Sequence, residues 1–186
     1  QKKMNVVRKY NSQDILFYGA MYRLDNYLSA IWFIENVFPK LSPLGFRFVV
    51  VGSKPHESLK KYDNGKNIII TGFVDDVTMY FENSLCLVAP LVLGAGIKIK
   101  VLEAMSCGLP VLTNEIGIEG INAKDNEEFF FCKGAMDYVE KVRKIASDFE
   151  IGRKMSSASI EFIKNNFDFE KDADMLYERI FNLNQK

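Results

Sequence analysis

The chain has 186 residues, with 48% hydrophobic and 26% charged side chains, the proportions of one ordinary globular domain. Its 24 acidic and 24 basic residues cancel, so the balance gives no sign of a nucleic-acid footprint or a polybasic membrane patch, and any anion site has to be local. No apolar run approaches the roughly 18 to 20 residues of a membrane-spanning helix, and Gln1-Lys2-Lys3-Met4 lacks the apolar stretch of a signal peptide.

A first residue other than Met leads to the expectation that further chain precedes it. After a tail or linker over 1–13, short apolar runs alternate with longer segments of helical period, the mark of βαβ units and a parallel sheet. Ile15 to Tyr18 reads as the first strand and ends at Gly19; Tyr27 to Phe38 reads as a helix that stops before Pro39. Phe46 to Val51 is a buried strand ending in Gly52. A short helix around Ser58 to Tyr62 leads to a strand over Asn67 to Thr71, closed by Gly72.

Asp75 and Asp76 read as N-caps of a helix through Phe81. Leu85 to Ala89 is the next strand, Ile97 to Cys107 a helix ended by Gly108, and Pro110 to Thr113 a further strand. Glu128 to Cys132 reads as the last strand, and beyond Gly134 the pattern is helical with one break near Asn165 to Asp168. In the final segment, 167–186, Phe169, Ala173, Leu176, Tyr177 and Ile180 form one apolar stripe. That stripe packs either on its own sheet or on a preceding domain. The fold expected for 14–166 is a Rossmann-like α/β domain, a parallel sheet with helices on both faces.

Cys86, Cys107 and Cys132 are an odd number without Cys-x-x-Cys spacing, two of them in apolar surroundings. They read as reduced core thiols and predict a cytoplasmic location. The lone His56, beside Lys54 and Pro55, reads as a loop residue, and one histidine without a partner makes no zinc site.

The stretch from Ala89 to Val111 carries the chemistry: a strand enters a glycine loop, Gly94-Ala95-Gly96, then a helix, then a tight return to a strand. Ligands in open α/β sheets bind at such strand-end crevices, and the free N–H groups of a helix start favour phosphate. Gly96, Lys100 and Glu103 fall at i, i+4 and i+7, which puts them on one helical face, while Ile99, Leu102 and Met105 can face the core. That face offers backbone donors, an ammonium and a carboxylate in succession. A diphosphate suits the first two, and the two hydroxyl donors of a ribose suit the third. The alternative is an exposed Lys100–Glu103 pair worth a few tenths of a kcal/mol.

Gly94-Ala-Gly-Ile-Lys-Ile-Lys-Val-Leu-Glu-Ala-Met-Ser-Cys-Gly-Leu-Pro-Val, followed by Thr113, resembles the donor-site signature of the retaining group 1 family of GT-B glycosyltransferases. Val50-Val-Gly-Ser resembles that family's second-strand ending, and Thr71-Gly-Phe-Val-Asp-Asp the loop that meets the nucleotide base. The similarity runs from about residue 14 to 180, the C-terminal half of such an enzyme.

The resemblance implies a role for each matching position. Glu103 would hold the ribose hydroxyls, and Gly72, Phe73 and Val74 would meet the base through their backbone. Gly96 with the neighbouring Ala95 and Ile97 amides would hold the diphosphate. Arg23 would supply positive charge against the donor phosphates, with Lys98 or Lys100 in compensation. The donor would be a UDP- or GDP-sugar, with no metal or other cofactor. The acceptor and the catalytic groups would belong to an N-terminal domain of the same parent protein, giving possible contact with the inner face of a membrane through that domain.

Two departures stand out. The family's first glutamate falls at Ala95, and the first loop, Gly19 to Asn26, offers only Arg23 as a base. Thr113, Gly117 and Glu119 are further candidates for the border of the site. Two rival readings remain. One is a dinucleotide-binding oxidoreductase domain, in which the third glycine would fall at Ile99 and no acidic residue closes the strand Pro110 to Thr113. The other is a degenerate transferase domain acting as a scaffold, which Ala95 favours.

Overall fold

The apolar runs become six strands in a computed structural model that describes residues 11–167. They are β1 (Asp14–Tyr18), β2 (Arg47–Val51), β3 (Ile68–Gly72), β4 (Cys86–Ala89), β5 (Val111–Thr113) and β6 (Phe130–Phe131). Every pairing is parallel, in the order β3-β2-β1-β4-β5-β6. Strands buried on both faces read as continuous Val/Ile/Leu/Phe runs, and Cys86, Leu87, Val88 and Ala89 of β4 are all buried.

The connections are α1 (Leu24–Asn36), α2 (Phe38–Leu41), α3 (Glu57–Lys60), α4 (Thr78–Asn83), α5 (Ile99–Ser106) and α6 (Glu115–Ile118), followed by α7 (Ala135–Ser147) and α8 (Phe149–Asn166). Right-handed crossovers from a central β1 put the helices after β1 and β2 on one face and those after β3, β4 and β5 on the other. The last two helices divide between these faces. Tyr138 of α7 packs edge-on against Phe33 and Trp32 of α1, both at 6.0 Å, while Ser159 of α8 donates to the Met105 carbonyl of α5 at 3.2 Å. This is the Rossmann-like α/β fold that the alternation of elements predicts.

Several boundaries move for local reasons. The first helix starts at Leu24 rather than Tyr27, and Pro39 falls within the first two residues of the separate helix α2, where its missing N–H costs nothing. Helix α4 begins at Thr78, so Asp76 precedes the cap residue Val77, yet its carboxylate still accepts from the Thr78 amide at 2.8 Å. Asp148 interrupts the long C-terminal helical pattern by capping α8 through the Glu150 amide at 3.0 Å. Asn114 caps the short α6 through the Gly117 amide, an element absent from the sequence reading. The stripe from Phe169 to Ile180 lies outside the described residues.

Gly108 ends α5 in a left-handed conformation, with the Leu109 amide reaching the Ala104 carbonyl at 2.9 Å and its own amide reaching Met105 at 3.0 Å. Cys86, Cys107 and Cys132 are buried thiols outside any disulfide. His56 is exposed, stacks on Tyr27 at 4.3 Å and accepts from the Ser58 amide to cap α3. Among the described residues no helix is long and apolar enough to cross a membrane.

Candidate functional site

The sheet reverses direction of growth between β1 and β4, and a crevice opens beyond the carboxyl ends of strands at such a switch point. A cleft of about 570 Å3 lies at this end, lined by the β1–α1 turn, the ends of β1 and β2, the loop after β3, the glycine loop after β4 and the start of α5.

Its floor is a set of closely stacked strand ends. The Gly19 amide donates to the Val51 carbonyl at 3.0 Å, Met21 to Ser53 at 3.0 Å, and Gly52 to Gly72 at 3.1 Å. A Cβ on Gly52 would stand 1.6 Å from the Gly19 oxygen, so only glycine lets these turns meet.

Helix α5 forms one wall, but it starts later than its spacing suggests. Lys98 is its extended N-cap residue, and Gly96 sits in the loop with φ +71°, outside the helix. The expected three-residue face therefore reduces to Lys100 and Glu103, one turn apart. The Val101 amide turns back to the Lys98 carbonyl at 2.9 Å, so of the first-turn amides of α5 those of Ile99 and Lys100 are left without a helical partner. Ile99, expected in the core, is the first residue of the helix and is 60% exposed, and Val101 and Ala104 are buried with Leu102 and Met105 instead.

Lys98 and Lys100 differ sharply. The Lys98 ammonium is held by the Gly96 carbonyl and by Glu119 at 3.4 Å, tying the glycine loop to the residue that follows α6. The Lys100 ammonium bonds the Asn26 side-chain oxygen and lies 4.9 Å from the centre of the Phe17 ring. Burial pushes its pKa down to about 8, opposed by Asp25 and reinforced by Arg23 and Lys98. Burial likewise raises the Glu103 carboxyl above its ordinary value. Tyr18, half-buried at the end of β1, is raised by burial and then by the nearby Glu103.

Of the residues expected at a donor site, Glu103, Lys100, Lys98, Ile97, Ala95, Arg23, Phe73 and Val74 line the cleft, whereas Gly96 and Gly72 lie beside it without lining it. Arg23 stands at the mouth, 62% exposed, with its Nε donating to Asp25 at 3.1 Å. Phe73, in the loop after β3, is 72% exposed. Thr113 and Gly117 do not line the cleft. Thr113 is buried and donates to the Ala89 carbonyl at 2.8 Å, and a Cβ on Gly117 would stand 1.8 Å from that hydroxyl. Glu119 serves as the anchor for Lys98.

Sequence reasoning missed Tyr18, Asp25, Asn26 and Ser53, which also line the cleft. Asn26 reads as an ordinary polar helix residue, and only the fold brings it to Lys100. The dinucleotide reading weakens here, since Gly94-x-Gly96 follows β4 whereas that fingerprint belongs to the first βα turn. Among the described residues no group of three His, Cys, Asp or Glu could hold a metal ion.

The family model for glycosyl transferases group 1 matches residues 12–148. A curated protein of Klebsiella pneumoniae, described as an uncharacterized 44.6 kDa protein in a cps region, is 24% identical over 176 residues, covering 89% of this chain and 45% of that protein. The chain thus spans less than half the length of that relative. Two solved structures share the fold. Anabaena HepE in complex with UDP-glucose superposes with a TM-score of 0.76 at 13% identity, covering 92% of this chain and 49% of that one. The C-terminal domain of a group 1 glycosyl transferase, LpcC of Francisella tularensis, gives 0.68 at 19% identity, covering 88% and 89%.

Proposed function

The chain belongs to the group 1 glycosyl transferases, and from that premise we propose that it forms the donor-binding domain, holding a UDP- or GDP-sugar in the cleft between β1 and β4. The observation that carries the reading is the placement of the Lys100 ammonium and the Glu103 carboxylate one helical turn apart in that cleft. HepE, crystallised with UDP-glucose in the same fold, supports the class of ligand.

In this reading the α5 amides and Lys100 receive the diphosphate, and Glu103 accepts from the ribose hydroxyls. Phe73 and Val74 border the base, with Arg23 at the mouth. As the glycosidic bond breaks, negative charge grows on the leaving diphosphate. Fixed amide dipoles and an ammonium already in place stabilise that charge without reorganising. Transfer would retain the anomeric configuration and need no metal. The acceptor hydroxyl and its catalytic groups would come from an N-terminal domain of the parent protein, and the isolated domain would not turn over.

LpcC, solved as a C-terminal domain over nearly the same extent, supports this division. A role in polysaccharide or glycan biosynthesis accords with the relative in a cps region, and three buried thiols outside any disulfide suit the cytoplasmic side of the membrane. Titration calorimetry with UDP, GDP and NAD, repeated with Glu103→Ala, tests the reading. One nucleoside diphosphate should bind and should weaken about tenfold in the variant, the loss of a charge-assisted hydrogen-bond pair. Binding of NAD alone would defeat it.

Ala95 favours a second reading, a non-catalytic scaffold, since it puts a methyl group in the cleft where the family resemblance calls for a carboxylate. Donor hydrolysis or transfer by the full-length parent would eliminate that reading.

A further inference from the structure

Asn26, in the first turn of α1, is only 4% exposed, and both polar atoms of its side chain are engaged. Its Nδ2 donates to the Ala20 carbonyl at 3.0 Å, and its Oδ1 accepts from the Lys100 ammonium. These partners fix the amide's orientation, since a carbonyl requires a donor and an ammonium requires an acceptor. The fit is close on the loop side as well, where a Cβ on Gly19 would meet Nδ2 at 3.0 Å.

Lys100 reaches this contact across 74 residues of sequence, with its ammonium 4.9 Å from the centre of the Phe17 ring. A lysine is a point charge on a flexible stem, so it contributes to a preorganised site only when something fixes that stem. One of its three N–H donors goes to Asn26, leaving two for a ligand in the cleft.

We propose that Asn26 is a positioning residue, holding the Lys100 ammonium in place before the donor arrives and locking the Gly19–Ala20 turn beside it. The inference rests on the donor-site reading above. It explains how one buried lysine serves where the first loop offers only Arg23, whose guanidinium is exposed and shared with Asp25. The charged and titratable groups around Lys100 are Arg23 and Asp25 at the start of α1, Lys98 and Glu103 on the α5 side, and Tyr18 at the end of β1.

A double-mutant cycle on the protein in its full natural length tests this, with UDP and GDP as calorimetric probes. Asn26→Ala should weaken the diphosphate that binds about tenfold, and the same change in a Lys100→Met background should alter affinity less than about twofold. An equal loss in both backgrounds would mean that Asn26 only braces the fold, and would overturn the inference alone. Wild-type protein that binds neither diphosphate would overturn the donor-site reading and this inference together.

Should Asn26→Ala fail to fold, Asn26→Asp keeps the shape and an oxygen towards the ammonium while giving up the bond to the Ala20 carbonyl. A carboxylate there favours the charged lysine, so the pH at which binding is lost on the alkaline side should move upward. An unmoved midpoint would overturn the inference.

Discussion

The Cα of Gly52 faces the backbone oxygen of Gly19 so closely that a methyl group on it would stand 1.6 Å away. The obstacle is backbone, which cannot rotate aside. It belongs to the turn whose amide bonds Val51 and whose neighbour Met21 bonds Ser53. Gly52→Ala should therefore cost at least about 3 kcal/mol, the upper end of overpacking penalties, and abolish nucleotide binding with it. Urea denaturation measures this directly, and a loss under about 1 kcal/mol would refute the close stacking of the two turns.

Gly108 and Gly45 separate conformational from packing requirements. Both have positive φ, +67° and +88°, but a Cβ on Gly108 would meet Ser156 Oγ at 2.3 Å, whereas Gly45 has nothing within 4 Å. Gly45→Ala should cost only the left-handed penalty of about 1 to 2 kcal/mol. Gly108→Ala should cost about 1 to 3 kcal/mol more, since the Ser156 and Ile160 side chains of α8 must give way. Equal losses in thermal or urea melts would show that the α5–α8 contact yields freely.

These glycines mark the limit of what the sequence discloses. A run such as Phe46 to Val51 ending in glycine announces a buried strand and its turn, because apolar β-branched runs of that length have few other uses. Lys100 and Glu103 were legible for a similar reason: residues three apart share a helical face whatever else the helix does. Gly96 and Ile99 were misplaced because periodicity does not locate the first residue of a helix, and α5 starts at Ile99. The break at Asp148 and the turn of α6 at Asn114 had a signal, an Asx residue with a glutamate one or two positions on, that a count of helical period overlooks. Asn26 had no local signal at all. Its role depends on a partner from α5, and a contact of that sequence separation is a property of the sheet order.

Glu103 should give nucleotide binding an acid limb. Burial raises its carboxyl pKa, so on lowering pH it takes up a proton earlier than an exposed glutamate. The charged form accepts from two ribose hydroxyls, while the protonated form carries a hydrogen of its own and loses half that capacity. Affinity for UDP or GDP should fall as pH drops through the raised value, and Glu103→Gln should lose that limb. Comparing the two proteins with the same ligand cancels the titration of the ligand. Parallel pH profiles would show that Glu103 does not touch the nucleotide.

Lys100 should leave its mark on folding stability, and with the opposite sign to a paired lysine. Its pKa falls from 10.5 to about 8 on folding, with burial the largest cause. Between those values the unfolded chain carries the proton and the native chain does not, so stability gains with rising pH. Below about pH 8 both states are protonated, and the cost of burying the charge is present in full. Lys100→Met removes the titration. The stability of wild type relative to Lys100→Met should therefore be flat below about pH 7 and climb from about pH 8 towards 10.5, with bound nucleotide absent. Urea denaturation at a series of pH values reads that difference, and other alkaline titrations are common to both proteins. A difference that stays level, or declines, would mean that the Asn26 contact and the Phe17 ring outweigh the lost hydration, and that the ammonium is not held against its desolvation.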